Sequence, residues 1–389
     1  MKYGIIIHKK TANFGDDIQA YAVARLLPQV DYVLDREYLD SFGEKCSEPV
    51  AVVMAAWWLW QKWNWPPAEN IIPLMTSMHI NNDTIWHGAS PITDEWTKGV
   101  GGEYLEAYGP LGARDLFSLN FFRERGYDAY FSGCVTLTLP RQKKTAEAGS
   151  YICLVDLDRQ VEDKVQQLIM GTGLKIVKMS HNCKNSDIED DWQARFKKVE
   201  EYLTLYQNAR CVITRRLHVS LPCLAMEVPV LAIVDVQERG NANRWDAYGE
   251  WVHHITKKEF LEGTYTYDIC NPPENSAGYL TTRNELIARI KKFVADTSMM
   301  DESMEAWKKT TYTRTDVLCW QNQLMKKALD DWLYQNRALL AEYNKEKKKS
   351  KRLEIKLRQQ KIITEDVKKE KDKAKGVGAF VKQWLGGRE

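Results

Sequence analysis

At 389 residues the chain is longer than one hydrophobic core usually serves, so two domains with a cleft between them, plus an extension, are expected. Its 44% hydrophobic and 28% charged residues exclude a wholly disordered chain and fit one that folds in water. The net charge of +2 hides an asymmetry: residues 341–389 hold 16 Lys and Arg against 8 Asp and Glu, so +8 resides in the tail and −6 in the rest, which makes the tail the basic partner surface.

The opening MKYGIIIHKK has too short an apolar run for a signal peptide and reads as a first strand, which implies a cytoplasmic chain. Eight scattered cysteines without CxxC spacing agree, as buried thiols in a reducing compartment. Strands are expected at Tyr3–His8, Asp31–Leu34, Val50–Ala55, Pro73–His79 and Cys134–Leu139, with helices at Asp16–Leu27 and Leu116–Arg125 among them. The apolar segment Ala51–Trp65 is broken by Gln61, Lys62 and Asn64 and stopped by Pro66 and Pro67, too short to span a membrane. Its indoles Trp57, Trp58, Trp60, Trp63 and Trp65 either pack under the first domain or form a platform for a sugar.

A polar, basic stretch from Pro140 to Gly149 marks a boundary, and the alternation restarts behind it. Strands Tyr151–Val155, Leu174–Met179, Cys211–Thr214 and Pro229–Val234 alternate with helices Val161–Met170, Asp191–Asn208 and one near Ser220–Met226. Helices at Glu285–Ala295 and from Glu305 onward close the body. Such alternation predicts an α/β fold of two Rossmann-like doubly wound domains, residues 1–145 and 150–318. Residues 319–389 read as a long basic helical tail, either a coiled coil pairing two subunits or a segment lying on an anionic membrane.

Two segments carry candidate chemistry. Asn13-Phe14-Gly15-Asp16-Asp17 lies between a strand and a helix, where open parallel sheets bind ligands, and Asp16 there either caps the helix or faces the crevice. In Thr214-Arg215-Arg216-Leu217-His218 a strand ends just before a helix that must start ahead of Pro222. Guanidinium groups beside free N–H groups at a helix start suit a phosphate or carboxylate, and a nearby imidazole titrates near neutrality. His181, His253 and His254 lack metal-ligand spacing, and neither a metal nor a cofactor is expected.

The strand–Thr-x-Arg-Leu-His–helix arrangement resembles the signature of the polysaccharide pyruvyl transferase family. NFGDDIQAYAVARLL and Gly112-Ala113-Arg114-Asp115 through Gly126 resemble two further segments of that family, while Arg215 and Val219 stand where a small residue and glycine are usual. The resemblance runs in patches over about residues 1–255. It implies a fold like the two-domain (GT-B-like) glycosyltransferases and transfer of the enolpyruvyl group of phosphoenolpyruvate onto two hydroxyls of one sugar, as a cyclic ketal, with phosphate released. It implies donor binding by Arg114, Arg216, Leu217 and His218, with Asp16 facing the acceptor; beside them Arg215 is a further donor candidate, and Asn13, Asp17, His79 and Trp57 are candidates for the acceptor side. His218, Asp16 and Arg216 are then the candidate catalytic groups. The acceptor it implies is a surface polysaccharide or its lipid-linked precursor, met on the inner face of the membrane, and no nucleic-acid partner is expected. Two rival readings are a sugar-nucleotide glycosyltransferase, with Asp235 or Glu238 on the ribose, and an inactive scaffold for capsule or exopolysaccharide assembly.

Overall fold

The structure, a computed structural model, describes residues 1–9, 11–58, 64–80, 96–182, 191–234, 242–301 and 303–385, of which 57, 242, 243, 304 and 366–385 are described as backbone only. It divides into two compact units, Met1–Met325 and Lys326–Glu389.

Strands β1 (Lys2–Ile7), β2 (Tyr32–Asp35), β3 (Val50–Val53) and β5 (Ile71–Leu74) form a parallel sheet in the order β2-β1-β3-β5, with α1 (Phe14–Ala24) crossing from β1 to β2. The short β4 (Trp57–Trp58) pairs with β6 (His79–Ile80), and β7 (Leu111–Ala113) with β8 (Ala129–Phe131). Helices α2 (Gly99–Ala107) and α3 (Leu116–Arg123) flank β7. The second half carries β9 (Tyr151–Val155), α4 (Arg159–Leu168), β10 (Lys175–Met179), α5 (Trp192–Asn208), β11 (Cys211–Thr214), α6 (Leu217–Ala225), β12 (Val230–Ile233), α7 (Ala242–Trp245), β13 (His253–Ile255) and α8 (Lys257–Glu262). Its sheet is parallel throughout, in the order β10-β9-β11-β12-β13. Helices α9 (Leu280–Ser298), α10 (Met304–Trp307) and α11 (Arg314–Leu385) complete the chain. Strands β3 (VAVV) and β11 (CVIT) are buried at every residue, because parallel strands covered on both faces have no solvent side to keep polar. The mixed α/β fold with two parallel sheets and a long C-terminal helix is therefore as expected.

Two strand expectations need correction. Cys134–Leu139 is not a strand: Val135–Thr138 is a 3-10 turn packed against the helices α1, α6 and α9. A short, wholly apolar run carries no period that separates the two states. Pro73–His79 is not continuous either. The chain turns at Ser77, which has φ 57°, with the Ser77 N–H donating to Ser132 Oγ (3.0 Å) and the Ser77 Oγ accepting from Val135 N–H (2.8 Å). Of the indoles, Trp58 and Trp65 are core: Trp65 lies tilted against Trp96 at 4.4 Å and edge-on to Tyr104 at 5.0 Å. Trp60 and Trp63 lie outside the described residues, and Trp57 is described only as backbone on β4.

The two halves share one core. Ile5, Ile7, Ile18 and Val53 from the first belong to the same apolar cluster as Val155, Leu203, Val219 and Leu224 from the second. Helix α1 lies between them and buries nine of its eleven residues. The buried thiols Cys134, Cys153, Cys211 and Cys223 sit within the body, whereas Cys319 is exposed. Within the second unit, Leu329, Trp332, Leu339, Tyr343, Leu353 and Leu357 lie exposed along α11. Among the described residues no helix is long and apolar enough to cross a membrane.

Candidate functional site

Both sheets reverse their winding direction beside their first strand, at β1/β3 and at β9/β11. Open parallel sheets bind ligands outside the carboxyl ends of strands at such points. The chain leaving β1 carries His8 to Asp16, that leaving β9 carries Asp156, and that leaving β11 carries Arg215 to His218. These three segments meet.

On the first half, Asn13 caps α1, its Oδ1 accepting from Gly15 N–H at 3.2 Å. The cap touches the second half directly. Phe14 N–H donates to the His181 carbonyl at 2.8 Å, the Phe14 ring stands edge-on to His181 at 5.6 Å, and Asn13 bridges Asn182. Gly15 faces His218 so closely that a Cβ there would lie 2.7 Å from His218 Nδ1, which leaves glycine as the residue that fits. Asp16 accepts from Thr11 Oγ1 at 2.8 Å and has His8 Nδ1 at 3.8 Å. Burial acts to raise its pKa, but His8, Arg36, Thr11 and His218 together hold the carboxyl well below the usual range.

On the second half, Arg216 is the N-cap of α6, and His218 departs from helical geometry at ψ 16°. Pro222 explains that departure: it lacks the N–H that would bond the His218 carbonyl four residues back, so the backbone at His218 is not held in the ladder. The expected helix start near Ser220 thus lies at Leu217, with Pro222 inside the helix. Arg216 is fixed by Asp156 (Nε to Oδ2, 2.8 Å) and Asn182 (Nη2 to Oδ1, 2.6 Å). Asp156 itself sits at φ 54°, held by Ser180 Oγ and the His181 N–H.

Arg114, at the end of β7, is buried with 1% exposure. One Nη donates to Gln19 Oε1 at 3.0 Å and Tyr248 Oη donates to the Arg114 carbonyl, yet its Nη2 has no hydrogen-bond partner among the described residues. His218 Nε2 is buried in the same condition. Burial first, then Arg114 and Arg244, push His218 well below its ordinary pKa, against the opposing pull of Asp16. A small cavity of about 80 Å³ opens here, lined by Asn13, His181, Arg215, Arg216, His218 and Arg244. Buried N–H groups without partners are costly, and cations gathered around a neutral imidazole define a place for an anion.

The other expected site residues are placed as follows. Leu217 lines the same cavity. Asp17 turns away from it, to a 2.5 Å ion pair with Arg195 of α5, where burial outweighs the guanidinium and pushes its carboxyl up to about 6. His79 is buried with its Nδ1 2.5 Å from Asp115 Oδ2, and burial moves its pKa down. Sequence reasoning missed Arg244, Asp156 and His181. Asp156 directly follows a strand at the same sheet edge as the Arg-Leu-His segment, a signal that was present. Arg244 lies on the four-residue α7 with no strand end beside it to mark it, and Asp235 and Glu238 lie outside the described residues.

Comparison with known proteins places the polysaccharide pyruvyl transferase family on residues 13–235, more than half of the chain. No curated protein matches at a significant level. Among solved structures, the Methanocaldococcus jannaschii UDP-GlcNAc 2-epimerase shares 12% identity, with 84% of this chain and 100% of that one covered, at a TM-score of 0.35. The S. aureus MnaA–UDP structure shares 11% identity, with 75% and 91% covered, at a TM-score of 0.39. A functionally uncharacterized Klebsiella pneumoniae protein shares 12%, with 65% and 93% covered, at 0.35.

Proposed function

We propose, from the premise that the chain belongs to the polysaccharide pyruvyl transferase family, that it moves the enolpyruvyl group of phosphoenolpyruvate onto a sugar of a surface polysaccharide or its lipid-linked precursor. The observation that carries this reading is the cavity lined by Arg215, Arg216, His218 and Arg244, with a buried His218 Nε2 that lacks a hydrogen-bond partner among the described residues and the buried Arg114 guanidinium close enough to act on that ring. A donor with a phosphate at one end and a carboxylate at the other answers both the charge and the unpaired donors. Arg216, already anchored by Asp156 and Asn182, presents a fixed guanidinium at the mouth.

In the free protein His218 is neutral, because burial and the neighbouring arginines oppose its charge. A bound polyanion reverses that balance and loads the ring with a proton. The ring then gives this proton to the methylene carbon of the donor, which becomes a methyl group. Two sugar oxygens bond to the central carbon while its bond to the phosphate oxygen breaks. Of the two hydroxyl protons lost, one replaces the proton given to carbon and the other leaves with phosphate. Asp16, held ionised, is a weak base and serves as a fixed acceptor for a sugar hydroxyl. The basic tail holds the enzyme at an anionic membrane surface.

Thermal shift separates the rival donors, since a ligand that binds only the native state raises the midpoint. Phosphoenolpyruvate is expected to raise it and UDP-sugars are not. A shift with UDP-sugars alone overturns the reading in favour of a sugar-nucleotide glycosyltransferase.

A further inference from the structure

A second imidazole, that of His181, stands at the cationic cavity without a part in the chemistry above. The residue is fully buried and lines that cavity. Its backbone is held from both sides: His181 N–H donates to Asp156 Oδ2 at 3.0 Å, and its carbonyl accepts from Phe14 N–H at 2.8 Å. Three aromatic rings pack around the imidazole, Phe14 at 5.6 Å, Tyr202 at 6.0 Å and Tyr206 at 6.3 Å between centroids. Asp156, Arg216 and His218 lie within electrostatic reach of it.

The partners of the ring decide where its proton sits. Nε2 is 2.7 Å from Tyr206 Oη. Tyr206 is wholly buried, and burial pushes its phenol well above the usual pKa, so the O–H keeps its proton and needs an acceptor. Among the described residues His181 Nε2 is the one hydrogen-bond partner of that hydroxyl. Nε2 therefore accepts, and in a neutral imidazole the proton then rests on Nδ1. The ring is neutral, because burial, with Arg216 adding to it and Asp156 opposing, takes its pKa down to about 3. Nδ1 itself is buried and has no hydrogen-bond partner among the described residues. An unpaired buried N–H is costly, and a ligand that accepts from it removes the cost.

A protonated nitrogen has no lone pair for a metal ion, and Arg215, Arg216 and Arg244 around the cavity turn cations away. What remains is a hydrogen bond to an anionic oxygen. We propose that His181 donates its Nδ1–H to an anionic oxygen of the bound donor, and that Tyr206 is the positioning residue that keeps the proton on that nitrogen. The assignment rests on the donor reading above. It divides the work between two imidazoles: His218 takes up a proton and passes it to carbon, whereas His181 keeps its own and stabilises negative charge by a hydrogen bond alone.

The test uses the full-length chain with its seven histidines labelled with nitrogen-15 and long-range proton–nitrogen correlation spectra, the His181 signals being assigned by their loss in His181→Asn. In the free wild type His181 is expected to show a protonated Nδ1 and an unprotonated Nε2. Phosphoenolpyruvate, with inorganic phosphate as a second probe, should move the Nδ1 resonance. His181→Leu should weaken phosphoenolpyruvate binding about tenfold, the worth of a hydrogen bond to a charged group, whereas His181→Asn, whose amide N–H falls where Nδ1 lies, should stay within about threefold. Tyr206→Phe should lose the single tautomer and weaken binding about threefold, although Tyr206 does not line the cavity. A proton on Nε2 in the free protein, an Nδ1 resonance unmoved by an anion that thermal shift shows to be bound, or wild-type affinity in His181→Leu overturns the proposal. Should His181→Leu not fold, the wild-type spectra and Tyr206→Phe still decide. If phosphate moves the resonance and phosphoenolpyruvate does not bind, the donor reading fails and the anion contact stands; if neither binds, both fail.

Discussion

The contact between Gly15 and His218 can be loaded with a single methyl group. In Gly15→Ala the new Cβ would stand 2.7 Å from His218 Nδ1 and 2.9 Å from His218 Cβ. Turning the imidazole relieves the first contact but not the second, because a Cβ moves only with its backbone. An ordinary carbon–carbon contact needs about 3.5 Å, so one main chain must retreat by roughly half an ångström. Neither is free to do so: Gly15 N–H is tied to Asn13, Phe14 N–H to the His181 carbonyl, and Val219 next to His218 is fully buried. Overpacking of this kind costs about 1–3 kcal/mol, and a site that must hold its groups to within about 0.5 Å loses its fit. We therefore expect Gly15→Ala to fold, to melt several degrees lower, and to bind phosphoenolpyruvate at least tenfold more weakly. In thermal shift at a ligand level of about 100 times the wild-type Kd, a tenfold loss removes about half of the roughly 2.7 kcal/mol that the ligand supplies. A variant with native melting and an undiminished phosphoenolpyruvate shift would refute the packing argument and, with it, the placing of His218 against α1.

Arg114→Ala and His218→Ala, read by the same shift, should each weaken donor binding by about 1.5–3 kcal/mol, the value of a charge-assisted contact, and wild-type affinity in either removes that residue from the donor site. The pH dependence has a definite sign. Free His218 has a lowered pKa and is neutral, and a bound anion raises it, so binding takes up a proton and affinity falls as pH rises through the raised value. Calorimetry in buffers of differing ionisation enthalpy should show this uptake in the wild type and its loss in His218→Ala; identical uptake in both contradicts the role. The tail supplies a fourth test: the intact chain should float with anionic vesicles at low salt, and a truncation after Asn336 should not. Equal flotation of both, or none of the intact chain, refutes membrane docking.

Strands β9 and β11 were legible to the residue, because a buried parallel strand is a continuous apolar run with a sharp polar end. The Arg216-Leu217-His218 segment was legible for the same reason, as charge placed at such an end. Val135–Thr138 was not, because its state is decided by its packing on helices α1, α6 and α9, all distant in sequence. The partner of Asp17 was not legible, because adjacent helical residues point about 100° apart and which side the second carboxylate takes depends on the packing of α5: Asp17 pairs with Arg195. Arg244 was invisible because its role depends on where α7 comes to rest and on no local pattern.

The shared core bears on how the chain is made. Helix α1 buries Phe14, Ile18, Tyr21 and Val23, and part of what covers it is α5 and α6, whose residues are translated more than 160 positions later. Until Trp192–Ala225 has emerged from the ribosome, the first half carries an uncovered apolar flank. The first half is therefore expected not to fold as an independent module. Synthesis stalled within the 140–149 linker should leave a sticky, protease-sensitive fragment, and the two halves expressed from separate messages should be soluble only together.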